Sequence, residues 1–415
     1  MKNKTTFDTS TLEKRQLTVG FIPLTDCAPL IVAKHLGSFE KYGLEVTLSK
    51  ETSWANIRDK VALGILDAAQ MLATMPLAMT LGIGPVKKPT LTALVLDLNG
   101  NAVTISEALY RRLEKFDATA ARERPLSAAL LKRFIDDERA AGAKPLTFAT
   151  VFPTATHTYE LRYWLASAGI DPLHDIRIEV VPPSQMVARL AKGAIDGCCV
   201  GEPWNSMAVV QGVGHIAISG YEIWNNRTEK VLGVTEEWAL QHPNTHQALM
   251  LALLEACQWL DEPDHRREAA ALLAQGIHVG APETVLRQSL IGQLRSDPSA
   301  LPRRIDDFHV FHRYAANFPW QSHALWYLQQ MVRWGDLDAG VDQPALAAAC
   351  YRVDLYRNTA ALLGITAPEN DCKSEGLHNS SYTQAVNGVA LTLGADCFID
   401  HGVFTPATKM DKASG

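Results

Sequence analysis

Apolar runs of strand length alternate with amphipathic stretches of helical length through the first part of the chain. The pattern predicts strands at 17–22, 43–48 and 67–71 and helices at 28–36 and 53–64. Residues typical of helix ends occur at the expected positions. Ser53 can act as an N-cap, and Gly37 and Gly64 can end the helices before them. Strand–helix–strand–helix order predicts an α/β fold, with a mainly parallel sheet covered by helices on both faces.

The same pattern recurs in the middle of the chain. Strands are predicted at 148–152, 176–181 and 194–200, and helices at 157–167 and 184–193, the second capped by Ser184. The segments 60–67 and 189–196 both read as helix, glycine stop and aspartate, which indicates two lobes built alike unless the match is chance. The stretch 106–143 between the two units is predicted to be mostly helical, as is most of 235–334. Past residue 367 a Ser, Asn, Gly and Thr-rich composition indicates a surface tail.

Length, charge and cysteine content narrow the class of protein. The 415 residues suit two or three domains, and a net charge of −6 without a run of Lys or Arg argues against direct nucleic-acid binding. The seven cysteines are few and lack metal-ligand spacing, so buried reduced thiols are expected. No apolar stretch is long enough to cross a bilayer, and the N-terminus carries no apolar signal segment. We therefore expect a cytoplasmic protein without membrane contact, unless a signal peptide has been removed.

Two predicted helix starts are candidate anion sites, because free backbone N–H groups and the helix dipole favour negative charge there. One is 25–29, after the first strand, and the other is 154–157, after the first strand of the second unit. Trp54, His157 and Lys230 could add hydrogen-bond donors. Their alternatives are a core tryptophan, a neutral capping histidine and a surface lysine. No acidic residue is expected to face the ligand.

Enzyme signatures are poor. The chain has no P-loop, nucleophile elbow, zinc-binding H-E-x-x-H helix or dinucleotide glycine pattern. Asp67 and Asp196 could be read as a carboxylate pair but fit better as residues that begin strands after glycine stops. The histidines are scattered, and none pairs on a helix face as metal ligands would. We expect no catalytic residues, no metal and no cofactor.

Several segments together resemble one protein family. They are 21–30 (FIPLTDCAPL), 53–59 (SWANIRD), 156–164 (THTYELRYW), 181–187 (VPPSQMV), 199–205 (CVGEPWN), 222–224 (EIW), 229–233 (EKVLG), 318–319 (FP) and 333–335 (RWG). In this order they resemble the nitrate- and bicarbonate-binding components of ABC transporters, over roughly residues 16–370. The segment 199–205 is the most specific of them.

The resemblance implies a fold, a domain plan and a site. The fold is the two-lobed periplasmic-binding-protein (type II) fold with its ligand in the interlobe cleft. The implied plan is an N-terminal arm (1–15), lobe 1 (16–104), lobe 2 (105–222), a mostly helical return to lobe 1 (223–370) and a C-terminal tail (371–415). The implied nitrate-binding residues are Trp54, Asn101, His157, Lys230, Gly201, Val200, Pro183 and Gln70. The ammonium of Lys230 suits a bare monoanion, whereas a carboxylate at that position would suit a metal-assisted carbonate site.

The expected absence of an export signal makes the chain most similar to the cytoplasmic nitrate/nitrite sensors of the NasS type. The resemblance then implies a partner: an RNA-binding antiterminator of the NasT type, held in a hetero-complex and released when nitrate or nitrite binds, so that nitrate-assimilation genes are transcribed. One alternative is the nitrate-binding component of an ABC transporter whose signal peptide is absent from this sequence. Another is an enzyme on the same fold, such as a pyrimidine-precursor synthase of thiamine biosynthesis, for which Cys198 and Cys199 are a poor remnant of an iron site.

Overall fold

The structure is a computed structural model that describes residues 7–406, and it contains two lobes, each built on its own β-sheet. The elements of the first pass through lobe 1 are β1 (Gln16–Phe21), α1 (Ala28–His35), α2 (Ser38–Lys41), β2 (Glu45–Lys50), α3 (Trp54–Ala62), β3 (Ala68–Leu72), α4 (Met75–Leu81) and β4 (Thr90–Asn99). The elements of lobe 2 are β5 (Asn101–Ser106), α5 (Glu107–Phe116), α6 (Ala118–Ala121), α7 (Ala128–Ala140), β6 (Thr147–Thr150), α8 (Thr156–Ser167), β7 (Arg177–Val180), α9 (Met186–Ala191), β8 (Gly197–Gly201), α10 (Trp204–Val210), β9 (Gly214–Ser219) and α11 (Gly220–Ile223).

The chain then returns to lobe 1 and adds a mostly helical layer. Its elements are β10 (Thr228–Thr235), α12 (Glu236–Gln241), α13 (Pro243–Asp261), α14 (Pro263–Leu273), α15 (Glu283–Leu290), β11 (Gln293–Leu294), β12 (Arg303–Arg304), β13 (His309–Val310), α16 (Gln321–Arg333), α17 (Gln343–Cys350) and α18 (Val353–Leu362). A hairpin of β14 (Tyr382–Val386) and β15 (Val389–Leu393) follows. The predicted α/β architecture is confirmed.

Both sheets mix parallel and antiparallel pairs in the same way. In lobe 1 the order is β13-β4-β10-β3-β1-β2, with β1 parallel to β2 and β3, and β10 antiparallel to β3 and β4. In lobe 2 the order is β7-β6-β8-β5-β9, with β6 parallel to β7 and β8, and β5 antiparallel to β8 and β9. The parallel strands of each sheet therefore present their carboxyl ends at one edge, where ligands of open α/β sheets bind.

The chain crosses between the lobes at two short segments with left-handed backbone. At the first crossing Asn99 and Gly100 have φ of 64° and 81°, and β5 of lobe 2 begins at the next residue. The first crossing thus lies at Gly100, before the boundary at 104/105 that the sequence implies. At the second crossing Asn226 has φ of 53° and precedes β10, so the return to lobe 1 lies after the implied boundary at 222/223. The crossings fall between strands of different sheets, a detail that hydrophobic pattern alone does not reveal.

The similar segments 60–67 and 189–196, each with a glycine followed by an aspartate, have the same structural role in the two lobes. Asp67 accepts a hydrogen bond from the backbone N–H of Thr18 at 2.9 Å, and Asp196 accepts one from Thr147 at 2.8 Å. In each case the aspartate's own N–H donates back to the same residue's carbonyl. These aspartates tie the start of the third strand of each unit to the first, so the carboxylate-pair reading is wrong.

Two local predictions are corrected. Ser184 does not cap a helix, because it lies inside a 3₁₀ turn (Pro183–Gln185) that leads into α9. The segment after residue 370 is not a loose surface tail over its described part, 371–406. We call residues 371–406 the strap. Its residues Glu375 and Phe398 are buried, and it contacts α16 on one side and lobe 2 on the other. Among the described residues, no helix is long and apolar enough to span a membrane.

Candidate functional site

The residues singled out from the sequence meet where the two lobes face each other. Trp54 begins α3, Gln70 lies in β3 and Lys230 in β10, all in lobe 1. Asn101 begins β5 and His157 lies in the first turn of α8, both in lobe 2. All five have no exposed surface. The lobes are closed over them, and the backbone N–H of Thr25 donates across the gap to the carbonyl of Glu202 at 2.8 Å.

Lys230 is held by carboxylates, contrary to the expectation that no acidic residue is placed there. Its Nζ lies 2.9 Å from Asp26 Oδ2 and 2.7 Å from Glu229 Oε1, and 5.6 Å from the centre of the Trp54 ring. Burial disfavours the ammonium, but these carboxylates more than offset it and raise the pKa of Lys230 above its ordinary value. Asp26 was missed as an individual residue because an aspartate just before a helix is common and indicates only a helix start.

Glu229 joins the first turn of α8 to the lysine. Its Oε1 accepts a hydrogen bond from the Thr156 hydroxyl at 2.7 Å and lies 3.5 Å from His157 Nδ1. Burial alone would raise the pKa of Glu229, but Lys230, His157 and Arg227 together hold it below its usual range. Glu229 therefore carries a negative charge that belongs to lobe 1 and organises side chains of lobe 2.

A second ion pair lies beside the first. Arg227 contacts Glu160 of α8 at 2.5 Å and Glu229 at 3.1 Å. A Cβ on Gly220 would lie 2.0 Å from Glu160, so only glycine leaves room for this pair. We call Asp26, Glu160, Arg227, Glu229 and Lys230 the interlobe charge cluster. Sequence reasoning missed Arg227 and Glu160, whose only signal is a charge placed inside otherwise apolar elements.

Gln70 and Asn101 form hydrogen bonds with other residues of the chain. Gln70 donates through Nε2 to Asp26 at 2.5 Å and accepts from the backbone N–H of Ile22 at 2.9 Å, so it supports Asp26. Asn101 donates through Nδ2 to Glu160 at 3.1 Å, and its Oδ1 has no partner among the described residues. Both amides shape the cluster, and Asn101 retains a second N–H for a ligand.

The backbone candidates lie on the lobe 2 side. A Cβ on Gly201 would lie 3.4 Å from both Asn101 Oδ1 and Asp26 Oδ2, which places Gly201 between the lobes. The carbonyl of Val200 accepts a hydrogen bond from Asn205 Nδ2 at 2.8 Å. Pro183 is buried in the 3₁₀ turn before α9.

Several buried polar atoms around the cluster have no hydrogen-bond partner among residues 7–406. They include Trp54 Nε1, His157 Nε2, Thr25 Oγ1 and Thr74 Oγ1. A buried polar group left unpaired costs about 1–3 kcal/mol, so the convergence of several such atoms between the lobes makes this region a candidate place for a ligand or water. Thr25 lies in the predicted anion site at 25–29, whereas Thr74, which follows the carboxyl end of β3, was missed.

Burial also changes the titration of two carboxyls in this region. Burial raises the pKa of Asp26 to about 6, although Lys230 lowers it. Burial raises the pKa of Glu202 to about 7, and hydrogen bonds from Ser206 only partly oppose this. Over the described part of the chain, no group of three or more His, Cys, Asp or Glu residues has metal-binding geometry.

Comparison with known proteins places this architecture in a family. The family model described as NMT1-like matches residues 10–274, which is more than half of the chain. The chain belongs to the NMT1-like family. The match includes every residue of the interlobe charge cluster, and both crossings between the lobes.

Nitrate-transport proteins are among the relatives that this chain resembles along most of its length. The chain is 42% identical over 87% of its length to the nitrate import ATP-binding protein NrtC of Synechocystis, and it spans about half (52%) of that relative. It is 36% identical over 85% of its length, and 79% of the relative, to the nitrate/nitrite binding protein NrtA of Synechococcus elongatus. Bicarbonate transport ATP-binding proteins are also among the relatives.

A solved structure has the same fold over nearly the whole chain. The periplasmic nitrate-binding protein NrtA of Synechocystis PCC 6803 superposes with a TM-score of 0.82 at 29% identity, covering 95% of this chain and 96% of that one. This NMT1-like chain therefore has the periplasmic-binding-protein-like α/β fold and is related to NrtA.

Proposed function

We propose that the chain binds nitrate or nitrite between its two lobes. The observation that carries the proposal is the pair of buried ring nitrogens, Trp54 Nε1 and His157 Nε2, that find no partner within the described residues and lie near the fixed ammonium of Lys230. A small planar oxyanion can accept several hydrogen bonds at once, and charge-assisted bonds to it are strong where water is excluded. The proposal assigns the chain no catalytic role and no cofactor, because the ligand is the anion itself.

The position of the ammonium favours a bare monoanion over a metal-assisted carbonate. Lys230 Nζ lies between Asp26 and Glu229, within hydrogen-bond distance of both. Two neighbouring carboxylates are the ligands that a hard divalent cation would otherwise use, and the ammonium takes that position. Calcium-assisted bicarbonate binding therefore requires displacement of a buried, doubly paired lysine.

Calorimetric titration of the purified chain tests the ligand. We expect nitrate and nitrite to bind and to raise the melting temperature by mass action, and bicarbonate and sulfate to do so far less. Stabilisation by bicarbonate with calcium, and none by nitrate, would overturn the proposal.

Two variants test the site. Trp54→Phe removes one N–H donor, and His157→Ala removes another polar contact. Each should weaken nitrate binding about tenfold or more, since a hydrogen bond to a charged group is worth about 1.5–3 kcal/mol. Trp224→Phe is the matched control: its buried Nε1 also lacks a partner among residues 7–406, but Trp224 packs on Trp326 and Phe398. The nitrate affinity of this control should equal that of the unmodified protein.

At a finer level we propose a cytoplasmic sensor of the NasS type, which holds an antiterminator of the NasT type and releases it when nitrate or nitrite binds. The cysteines support a reducing compartment: all seven are free thiols, and Cys372 and Cys397 are only partly buried. Such thiols are common in the cytosol and rare in oxidising compartments. Lobe closure would supply the signal, because a partner that docks across both lobes fits only one relative position of the lobes.

Co-purification of the two proteins tests the sensor. The complex should form without nitrate and dissociate with nitrate or nitrite, and the partner should weaken nitrate binding by the same factor. Trp54→Ala should bind the partner yet fail to release it. Persistence of the unmodified complex at saturating nitrate and nitrite would eliminate the sensor.

The second candidate is the binding component of a nitrate importer, and the similarity to the import proteins NrtC and NrtA favours it. Fractionation of the native host separates the two candidates. The sensor is expected in the cytoplasmic fraction, and the import component outside it or at the membrane.

A further inference from the structure

Hydrogen bonding around His157 determines which ring nitrogen carries the proton. The Thr156 hydroxyl has one hydrogen, and it is donated to Glu229 Oε1 at 2.7 Å. Thr156 Oγ1 also lies 3.2 Å from His157 Nδ1 and, with its hydrogen used, can only accept there. His157 Nδ1 must therefore carry a hydrogen, which points toward Thr156 and Glu229.

This assignment leaves the other ring nitrogen as an acceptor in the neutral ring. A neutral imidazole has one N–H, so His157 Nε2 presents a lone pair. Nε2 is fully buried and has no partner among the described residues. Nitrate and nitrite carry no hydrogen, and an oxygen of either anion would face the lone pair with unfavourable electrostatics. The neutral ring is thus the wrong partner for the anion of the proposed function.

We propose that His157 takes up a proton as the anion binds, so that the imidazolium form, with Nε2–H directed at the ligand, is the form that holds an oxyanion lacking its own hydrogen. This inference rests on the proposed function and adds to it a specific role for His157: the site binds the anion together with a proton.

The charges that face His157 favour this uptake. Glu229 lies 3.5 Å from His157 Nδ1. Glu229 pairs with Lys230, its neighbour in β10, and with Arg227, which precedes β10. Glu160 lies on α8, the same helix as His157. With Asp26, the interlobe charge cluster holds three carboxylates against one ammonium and one guanidinium. An added anion increases the excess of negative charge, and a proton on His157 returns the net charge of the site to its value before binding.

The free and bound forms should differ in protonation at neutral pH. With the lobes closed and before an anion lies at Nε2, burial lowers the pKa of His157 to about 3, although Glu229 raises it, so the ring is neutral at pH 7. An anion at Nε2 stabilises the charged ring and raises that pKa. At pH values between the pKa of His157 in the free protein and its pKa in the complex, the affinity for nitrate falls as pH rises, by up to about tenfold per pH unit.

Calorimetry in two buffers of different ionisation enthalpy counts the protons taken up with nitrate. At pH 7.5 we expect proton uptake with nitrate by the unmodified protein and close to none by His157→Gln, because the side-chain amide of Gln donates a hydrogen bond but does not titrate. His246→Gln is the matched control: burial lowers the pKa of this helix α13 histidine to about 4, but it lies outside the site, so its variant should keep the uptake.

The outcomes separate this inference from the proposed function. Nitrate binding without proton uptake, or uptake that survives in His157→Gln but disappears in Asp26→Asn, overturns the role of His157 and leaves anion binding intact. Absence of any binding of nitrate or nitrite overturns both.

If His157→Gln does not fold, the unmodified protein still gives an answer. Nitrogen-15 NMR of histidine-labelled protein should show one ring changing from one to two N–H groups when nitrate saturates the site. An unchanged set of histidine signals in nitrate-saturated protein would overturn the proposal.

Discussion

The two lobes share a scaffold and differ in how their cleft residues are supported. Each uses a glycine stop and an aspartate, Asp67 or Asp196, to tie two parallel strands together. At the cleft the likeness ends. Lobe 1 supplies a self-contained set from its own residues: Asp26 and Glu229 hold Lys230, and Gln70 supports Asp26.

Lobe 2 supplies side chains whose partners are mostly contributed from outside it. Thr156 donates to Glu229 of lobe 1, and Glu160 pairs with Arg227 at the return crossing. Opening the lobes would leave the charge on Lys230 compensated but separate Thr156 from its acceptor. Lobe 1 is therefore preorganised for charge, whereas the first turn of α8 is organised only on closure.

Replacement of Lys230 should give the largest effect, because it breaks the preorganised lobe. Lys230→Met leaves Asp26 and Glu229 buried without their cation, and removal of one partner of a buried ion pair costs about 3–5 kcal/mol. We expect a large drop in the urea midpoint and loss of nitrate binding. Lys14→Met removes a half-exposed ammonium that pairs with Asp67, and it should cost about 1 kcal/mol or less. Equal losses in the two variants would contradict the special role of Lys230.

Substitutions at the strap should give the next largest loss of stability, because the strap joins the lobes away from the cleft. Its buried Glu375 accepts from Ser322 at 2.9 Å, lies 3.2 Å from His323 Nε2 and pairs with Lys373, while Asp400 accepts from Tyr163 of α8 at 2.8 Å. Glu375→Gln should cost about 2 kcal/mol, in the range for hydrogen bonds to a charged group. Tyr163→Phe, at the lobe 2 end, should cost less. Urea unfolding of both variants checks this order.

The pH dependence of the Glu375→Gln effect follows from the sign of the pKa shift. Burial would raise the pKa of Glu375, but Lys373 and His323 lower it to about 2, from an ordinary value of 4.5. The stabilisation is present above pH 4.5 and is lost as pH falls toward 2. Urea unfolding at pH 7 and pH 3.5 should show a smaller difference between the unmodified protein and Glu375→Gln at the lower pH. A difference that grows on acidification would refute this.

The two aspartates offer the most closely matched test, in which the expected difference between the variants is small. Asp67 also binds Lys14 at 2.6 Å and the indole N–H of Trp238 at 3.0 Å, whereas Asp196 serves the backbone of Thr147. Asp67→Asn should therefore cost about 2 kcal/mol and Asp196→Asn about 1 kcal/mol. Thermal unfolding of both variants checks the order, and a larger loss for Asp196→Asn would contradict the stabilisation assigned to the contacts of Asp67 with Lys14 and Trp238.

Much of this architecture follows from local pattern, and the failures have physical causes. The strand–helix order, the cap at Ser53 and the paired glycine–aspartate segments are encoded by neighbouring residues, so they were predictable. The crossing at Gly100 was misplaced because one buried run continues from β4 into β5, and only the change of sheet divides it.

The site was predictable only in part. Trp54, His157 and Lys230 do lie together, but their roles toward a ligand stay predictions. Asp26 and Arg227 were missed because their compensation comes from residues far away in sequence, which no local pattern records. The strap was misjudged because its polar composition hides Glu375, whose burial depends in part on a histidine from another segment.

The central claim, that an anion closes the lobes around itself, is tested most directly by small-angle X-ray scattering of ligand-stripped protein with and without nitrate. We predict that nitrate decreases the radius of gyration of the unmodified protein, and that Trp54→Ala, which lacks an N–H donor to the anion, shows no decrease at the same concentration. Nitrate that binds by calorimetry yet leaves the radius of gyration unchanged would contradict the claim.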